Sequence, residues 1–266
     1  MEDALTPITV AGSAGRGPRH FTHEAWVWGT FPQLQALAAT VRLPGDVDAL
    51  EPLRAAGAAH VEHVAGEAHR PSESSLEPIR AWRAVFAETG VRPTQYRCAA
   101  ESLLRRLRTQ GTLPVLHPLV DLCNGLSVRW AVPVAVIDLA RVRGSLRVRR
   151  SSGEESHATF GGAVEHPDPG EIAYIDDAGH AHSRRWCWRQ SAHSAVHPGT
   201  TDVLVVAEAV HEDATGDLTG LGEALVAALG SANITATPVL LTPATPSLPL
   251  PGAGDDSTRE PTVGDR

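Results

Sequence analysis

The pattern of hydrophobic and polar positions along the chain predicts helices first and strands afterwards. In "AWRAVFAETG", Trp82, Val85 and Phe86 recur at spacings of three and four, which predicts an amphipathic helix. This helix begins near Pro78 and ends at Gly90, because proline suits a first helical turn and glycine a C-terminal cap. "CAAESLLRRLRTQG" predicts a second helix, with leucines inward and arginines outward.

The stretch "HPLVDLCNGLSV" predicts a third helix that begins at Pro118 and continues to Trp130. A stripe at i, i+3, i+4, i+7 and i+11 forms its core face: Leu119, Leu122, Cys123, Leu126 and Trp130. Asp121 and Asn124 lie three residues apart and share a second face beside that stripe. We interpret this second face, together with Gly125, as the lining of a pocket where a close backbone approach and an amide side chain are useful.

Strands dominate the rest of the chain. The apolar stretch "LQALAATVRL" fits a strand or a short helix, and its position after "TFP" favours a strand. A run of strands separated by turn residues follows Pro133: "VAVIDLA", "SLRVRRS", "HATFGGAVE", "EIAYIDD", "SRRWCWRQ" and "TDVLVVAEAV". The helix "LTGLGEALVAALG" and the strand "TPVLLT" close the domain. This order predicts an α+β fold with helices packed on sheets, in one domain over residues 21–250. Residues 1–20 are expected to be flexible and residues 251–266 to be a disordered tail.

Composition narrows the class of protein. The 266 residues are 42% hydrophobic and include no apolar run long enough to cross a bilayer. The chain lacks the pattern of a secretory signal and has three cysteines, an unsuitable number for a disulfide framework, so we expect a cytoplasmic protein that contacts no membrane. Composition carries no signal for an oligomeric state.

Charge is unevenly distributed along the chain. Residues 97–150 hold ten arginines and only three carboxylates, a local charge of +7 within a chain of net charge −8. The overall acidity argues against a general DNA-binding or RNA-coating protein, whereas the basic middle favours a local contact with phosphate. The alternative is a solvated face whose arginines pair with acidic neighbours.

The segment "HSRRWCWRQSAH" is the most unusual strand candidate. Alternation along a strand would put Trp186 and Trp188 on one face and Arg185, Cys187 and Arg189 on the other. The tryptophans could form the floor of a pocket that stacks a base or holds an apolar side chain, with arginines placed for phosphate. The alternative is a pair of core tryptophans beneath a solvated basic face.

Other catalytic arrangements are poorly supported by spacing. His180, His182, Cys187 and His193 could surround a metal, but no Cys-x-x-Cys or His-Glu-x-x-His spacing accompanies them, so we expect no metal and no cofactor. Ser191 and His193 lack a nucleophile elbow. Cys123 and Cys187 have apolar neighbours typical of unreactive packing thiols, although a nucleophilic role stays open.

Several separated motifs resemble one family. "LPVLHPLVDLCNGLSVRWAVPVAVIDLARVRG", "PGEIAYIDDAGHAHSRRWCWRQS" and "TTDVLVVAEA" are similar to the B3/B4 domain of the phenylalanyl-tRNA synthetase β subunit, in the form carried by freestanding proteins. The similarity extends from about Phe31 to Gly230. The resemblance implies a three-layer β/β/α sandwich.

In the synthetase, this domain hydrolyses the ester between a wrong amino acid and the terminal adenosine of tRNA. The resemblance therefore implies an enzyme, a trans-editing aminoacyl-tRNA deacylase that acts on mischarged aminoacyl-tRNA. Such an ester is already activated, so a placed water and donors to the oxyanion suffice and no nucleophile is obligatory. The alternative is a non-catalytic module that binds tRNA or an amino acid.

The resemblance also assigns candidate site residues. Asn124 matches a pocket asparagine of the family, Cys123 stands at the place of a threonine, and Ala135 replaces a histidine of the synthetase pocket. Because that histidine is absent, we expect the water to be held by other groups, and the predicted catalytic residues are Asn124, Gln190 and Ser191. The predicted substrate pocket comprises Asp121, Cys123, Ala135, Trp186, Trp188 and Arg189, and the predicted tRNA-binding residues are Arg105, Arg106, Arg108, Arg184 and Arg185.

Overall fold

The structure, a computed structural model, describes residues 18–67 and 71–252. Within these ranges the helices are α1 Ala25–Thr30, α2 Glu51–Ala65, α3 Glu77–Glu88, α4 Ala99–Gln110, α5 Pro118–Trp130 and α6 Ala214–Ser231. The strands are β1 Arg19–His23, β2 Gln35–Arg42, β3 Val134–Asp138, β4 Leu146–Arg150, β5 His157–Ala158, β6 Val164–Glu165, β7 Ile172–Asp176, β8 Ser183–Arg184, β9 Arg189–Gln190, β10 Asp202–Ala209, β11 Val239–Leu241 and β12 Ser247–Leu250.

Two four-stranded sheets form the body of the fold. The first sheet has the order β12-β1-β4-β7, and its β1–β4 pair is parallel while its other pairs are antiparallel. The second sheet has the order β11-β2-β10-β3 and is antiparallel throughout. The short pairs β5–β6 and β8–β9 are two additional hairpins.

Side chains of the second sheet alternate between two hydrophobic cores, as the pleat requires. On β10, Leu204 and Val206 face the first sheet, and Val203 and Val205 face helices α2, α5 and α6. The fold therefore has three layers, namely the first sheet, the second sheet and the helices α2, α5 and α6. This confirms the predicted α+β class and three-layer arrangement. Helices α3 and α4 contribute their apolar residues to the core between the sheets.

Most predicted elements are present at the expected positions. The helices and the long strands follow the hydrophobic pattern, and Gly90 and Gly111 take the positive φ angles of 79° and 74° expected after helix ends. The structure adds elements that the pattern did not predict, namely β1, α1, α2 and β12. The flexible N-terminus expected over residues 1–20 and the disordered tail expected over 251–266 fall largely on residues 1–17 and 253–266, which lie outside the described residues. Of the remainder, Arg19 and His20 belong to β1.

The single strand predicted from "SRRWCWRQ" is wrong, because this segment is a β-hairpin. The chain reverses between β8 and β9 over residues 185–188, and Arg184 pairs with Arg189. Arg185 and Trp186 take φ angles of 44° and 61°, in the left-handed region. Glycine usually marks such positions, so a turn without glycine resembles an alternating strand in the sequence. "HATFGGAVE" likewise forms the hairpin β5–β6 rather than one strand.

No helix among the described residues is long and apolar enough to span a membrane.

Helices α2 and α5 approach each other through glycines. A Cβ atom added at Gly125 would lie 2.4 Å from the carbonyl oxygen of Gly57, and one added at Gly57 would lie 2.5 Å from the carbonyl oxygen of Asp121. Both distances are too short for a real contact, so the backbones touch only because these positions lack side chains. Gly125 is therefore accounted for by packing of the helical layer.

We predict that Gly125→Ala destabilises the protein by about 1–3 kcal/mol, because the added methyl group forces α2 and α5 apart. Gly230→Ala in α6 is the matched control, since a Cβ there meets nothing within 4 Å. The control should be neutral or stabilise by up to about 1 kcal/mol through helix propensity. Urea unfolding of both variants measures the difference, and equal stabilities would contradict the close approach.

Candidate functional site

A cavity of about 70 Å³ lies between the second sheet and the β8–β9 hairpin. β3 and β10 contribute one wall, and residues 182–190 contribute another. The lining includes fully buried groups and also the half-exposed Trp188 and Arg189. The cavity thus extends from the protein surface toward the core between the sheets. Its β3 and β10 residues are Val134, Ala135, Ile137, Val206 and Glu208.

The hairpin turn inserts Trp186 into the core. Its ring packs edge-on against Phe31 and Trp82, at centroid distances of 5.2 and 5.1 Å. Trp188 stays half-buried and lies edge-on to Tyr96, 4.8 Å between ring centroids. The two tryptophans therefore do not share a strand face, and only Trp188 is available at the cavity entrance.

Glu208 is the buried polar centre behind the cavity. Its carboxyl group is 2% exposed and accepts hydrogen bonds from Tyr174 Oη at 2.5 Å, His23 Nε2 at 2.6 Å and Trp186 Nε1 at 2.9 Å. Trp82 Nε1 donates to the Glu208 carbonyl oxygen at 3.2 Å. Burial raises the pKa of Tyr174, and the charge of Glu208 raises it further. The phenol therefore keeps its proton and acts as a hydrogen-bond donor.

His182 is a second buried polar group at the cavity. Its side chain is fully buried, and Nε2 lies 3.4 Å from Asp176 Oδ2. Neither ring nitrogen has a hydrogen bond of acceptable geometry within the described chain. Burial raises the pKa of Asp176, but the nearby His182 ring, the N–H groups of Arg143 and His180 and the His180 ring outweigh it and hold that pKa well below its usual range. The Asp176 carboxylate is therefore charged at neutral pH.

The predicted catalytic residues Gln190 and Ser191 are engaged with backbone. Gln190 lines the cavity, and its Nε2 donates to the carbonyl oxygen of Val136 at 2.6 Å. Ser191 Oγ donates to the carbonyl oxygen of Ala158 and accepts from the N–H of His193, and the side chain is fully buried. Both residues hold the hairpin to its neighbours, and Ser191 is absent from the cavity lining.

The predicted residues on α5 lie in a different place. Asn124 and Asp121 line a separate groove between α2, α5 and residues 111–115. Asp121 accepts from Arg54 and from the Leu116 N–H, which anchors the loop before α5. Cys123 is buried in the core between the second sheet and the helices. The structure thus brings together Ala135, the tryptophans, Arg189 and Gln190, and it keeps the α5 residues apart from them.

A family model of the B3/4 domain matches residues 81–219. This segment extends from α3 into α6 and includes all residues that line the cavity. The chain belongs to the B3/4 domain family. The resemblance inferred from the sequence motifs is thereby confirmed.

Two phenylalanyl-tRNA synthetase subunits are similar to this B3/4 domain chain. It is 30% identical over 94 residues to the phenylalanine–tRNA ligase β subunit of Cereibacter sphaeroides, a match that covers 35% of this chain and 12% of the ligase subunit. An N-terminal fragment of the phenylalanyl-tRNA synthetase β subunit from Pyrococcus horikoshii aligns with a TM-score of 0.35 and 10% identity, over 46% of this chain and 44% of that fragment. The chain therefore spans a small part of the curated relative.

Most predicted tRNA-binding arginines of this B3/4 domain pair with carboxylates. Arg105 and Arg108 lie near Glu73, at 3.8 and 2.9 Å. Arg184 is 5% exposed and bonded to Glu171 and Glu165, so its guanidinium is occupied within the protein. Arg106 is exposed on α4 and has no ion-pair partner in the described ranges.

Arg185 belongs to an aromatic cluster at the cavity entrance. Its guanidinium lies 4.0 Å from the Tyr96 ring centroid and 5.0 Å from that of Trp188, and Arg189 lies 5.5 Å from the same Trp188 ring. Asp168, 75% exposed, pairs with Arg185 at 3.4 Å. This arrangement suits stacking on a flat ligand more than insertion into the cavity.

The cysteines of the B3/4 domain are protonated packing groups at neutral pH. Burial raises the pKa of Cys98 and of Cys123 to about 12. The pKa of Cys187 is raised well above its usual range, mainly by burial and in smaller part by the nearby Cys98. Cys187 lines the cavity, yet its thiol is a poor nucleophile in this state. Among the residues that the structure describes, no three metal-ligating side chains are grouped to hold a metal ion.

Sequence reasoning missed two of the cavity's polar groups. Glu208 is a lone carboxylate in the apolar strand "TDVLVVAEAV", and this position is the signal that could have revealed it. The spacing of His182 from His180 suggests only a metal ligand. It gives no indication that His182 is fully buried beside Asp176 with Nδ1 unbonded.

We predict that Tyr174→Phe destabilises this B3/4 domain by about 1.5–3 kcal/mol, because the Oε2 atom of buried Glu208 loses its hydrogen-bond donor. Tyr96→Phe is the matched control, since the Tyr96 hydroxyl accepts a hydrogen bond from the exposed amide of Gln95. The control should stay within about 0.5 kcal/mol of the parent chain. Chemical unfolding measures both values, and a Tyr174→Phe effect as small as the control would argue against this role for Glu208.

Proposed function

We propose that the chain is a trans-editing hydrolase that removes a wrong amino acid from mischarged tRNA. The reaction is hydrolysis of the ester that joins the amino acid to the terminal adenosine. The observation that carries this proposal is the cavity between the second sheet and the β8–β9 hairpin, which lies wholly within the family-matched segment. We place the aminoacyl group in that cavity.

The chemistry demanded of the cavity is modest. An aminoacyl ester is activated, so a site accelerates its hydrolysis by fixing a water near the carbonyl carbon and stabilising the developing oxyanion. The largely apolar walls exclude bulk water, which strengthens the electrostatic interactions of the few polar groups present. No thiolate is needed, in agreement with the raised pKa of Cys187.

The cavity size favours a small amino acid. An engineered cavity of about 150 Å³ holds benzene, and each liquid water occupies about 30 Å³. The volume of about 70 Å³ therefore suits an aliphatic side chain between alanine and valine in size. Ala135 contributes to this volume, because a larger residue there would occupy it.

The cavity entrance suits the terminal nucleotide. Tyr96 and Trp188, which lie edge-on to each other, form an aromatic and cationic surface with the guanidinium of Arg185. Arg189 lines the entrance itself. Unpaired bases stack on such surfaces, and arginine also meets the phosphate charge. Arg106, exposed on α4, is a further candidate for contact with the tRNA backbone.

A deacylation panel tests the proposal. We expect the chain to release amino acid from tRNA mischarged with alanine, serine or valine, and to hydrolyse phenylalanyl and tyrosyl esters much more slowly. Ala135→Leu should lower kcat/KM at least tenfold, a loss of ~1.4 kcal/mol of transition-state binding, because leucine fills the cavity. The matched control Ala55→Leu changes an exposed residue of α2 and should leave the rate unchanged. Stability of every ester toward the parent chain would refute the proposal.

Asn124→Ala decides between the cavity and the α2–α5 groove as the reaction site. The cavity location predicts a rate within about threefold of the parent, since Asn124 lines a separate groove. A fall of tenfold or more with Asn124→Ala, together with normal activity of Ala135→Leu, would move the site to α5.

A non-catalytic binding module is the second candidate function. It is favoured by Ala135, which stands where the synthetase resemblance implies a histidine, and by the engagement of Gln190 and Ser191 with backbone. Release of more than one equivalent of amino acid per protein excludes this function. Tight binding of the mischarged tRNA without any release would establish it.

A further inference from the structure

His182 differs from the other buried histidines of the described chain. Three of these, His23, His157 and His211, each have one ring nitrogen in a hydrogen bond and one without. In His182, Nε2 lies 3.4 Å from Asp176 Oδ2 without hydrogen-bond geometry, and Nδ1 has no hydrogen-bond partner among the described residues, although the side chain is fully buried. Leaving a buried polar group unsatisfied costs about 1–3 kcal/mol, so such a group calls for a functional explanation. His182 also lines the cavity, whereas the other three do not.

The two nitrogens of His182 have different surroundings. The charged Asp176 carboxylate lies 3.4 Å from Nε2 and therefore favours the tautomer with the proton on Nε2. In this tautomer, Nδ1 carries the free lone pair and has no hydrogen-bond partner within residues 18–67 and 71–252. His180 shares the same carboxylate, with Nδ1 3.1 Å from Asp176 Oδ2, and so helps to fix its position.

We propose that His182 is the general base of the hydrolysis, with Asp176 as its positioning residue. This inference rests on the proposed function and assigns one step of it. His182 Nδ1 removes a proton from the water whose oxygen attacks the ester carbonyl carbon. The tetrahedral intermediate then expels the ribose oxygen, which takes that proton back from His182. The carbon–oxygen bond of the ester breaks, and the products are the free amino acid and the tRNA hydroxyl.

The remaining polar groups of the cavity are less suited to this step. Glu208 already accepts three hydrogen bonds, and the Gln190 amide is bonded to backbone. The Cys187 thiol and the Tyr174 phenol have raised pKa values and keep their protons. Among the described lining residues, His182 is the one whose neutral form offers a free basic nitrogen.

The titratable groups around His182 set the expected pH dependence. His180 and His193 face it, with ring centroids 6.5 and 5.8 Å away, and Asp176 faces it from β7. The cavity is also lined by titratable groups of Glu208, Tyr174, Cys187 and Arg189. His157 lies nearby and contacts the carbonyl oxygen of Ala181, the residue before His182. A general base must be unprotonated to act, so kcat should rise with pH and then level off.

His182→Gln tests the proposal when its kcat is compared across pH with that of the parent chain. We expect kcat to fall by about 10²–10⁴-fold, KM to stay within about threefold, and the acidic limb of the profile to disappear. Asp176→Asn should lower kcat and shift that limb to lower pH, since the imidazolium loses its charged partner. His211→Gln is the matched control, a buried histidine whose Nε2 lies 2.9 Å from Asp217 outside the cavity, and it should leave kcat unchanged.

The inference would be overturned if His182→Gln kept kcat within threefold of the parent and kept the acidic limb of the pH profile. The proposed function would still stand in that case. A parent chain that releases no amino acid from any mischarged tRNA would instead overturn the proposed function. Should the variant fail to fold, nitrogen NMR of the parent decides the matter. A non-hydrolysable alanyl amide of 3′-amino-3′-deoxyadenosine should shift the His182 imidazole signals and leave those of His211 unchanged, and unshifted His182 signals would refute the assignment.

Discussion

The buried carboxyl group of Glu208 is the interaction on which the core between the two sheets depends. It belongs to β10 of the second sheet, and its donors come from β1 and β7 of the first sheet and from the β8–β9 hairpin. A carboxyl group taken out of water costs several kcal/mol unless its lone pairs are satisfied, so all three donors must be present together. This requirement fixes the distance between the sheets and the depth at which Trp186 enters the core. The cavity is the space that remains beside this group, and its size follows from the same constraint.

The position of the cavity separates two groups of residues that the family resemblance had combined. Ala135, Val206 and Glu208 lie on the face of the second sheet that meets the first sheet, whereas Cys123 lies in the core on the opposite face. A sheet and its side chains occupy roughly 10 Å, so groups on opposite faces cannot contact one small ligand together. The unusual residues of α5 have structural roles instead. Gly125 permits contact with α2, and Asp121 holds Arg54 and the loop before the helix.

Periodicity predicted the α+β class, α3, α4, α5 and the long strands, because each presents one continuous apolar face. It did not reveal α2, whose closest contact with α5 is made by the backbone at Gly57 rather than by a stripe of large side chains. The hairpin resembles a strand in the sequence because Trp186 and Trp188 alternate with Arg185, Cys187 and Arg189, while the turn uses left-handed conformations without glycine. The roles of Arg184 and His182 depend on carboxylates that are close in space, such as Glu171 and Asp176, and no spacing rule indicates which side chains tertiary folding will pair.

The central claim is that the aminoacyl group occupies the cavity between the second sheet and the β8–β9 hairpin. A crystal structure with the alanyl amide of 3′-amino-3′-deoxyadenosine tests this claim most directly. We expect the alanyl methyl group to lie against Ala135, the carbonyl carbon to face His182 across one ordered water, and the adenine to stack at Tyr96 and Trp188. An analogue bound in the groove at Asn124, with the cavity filled only by water, would contradict it.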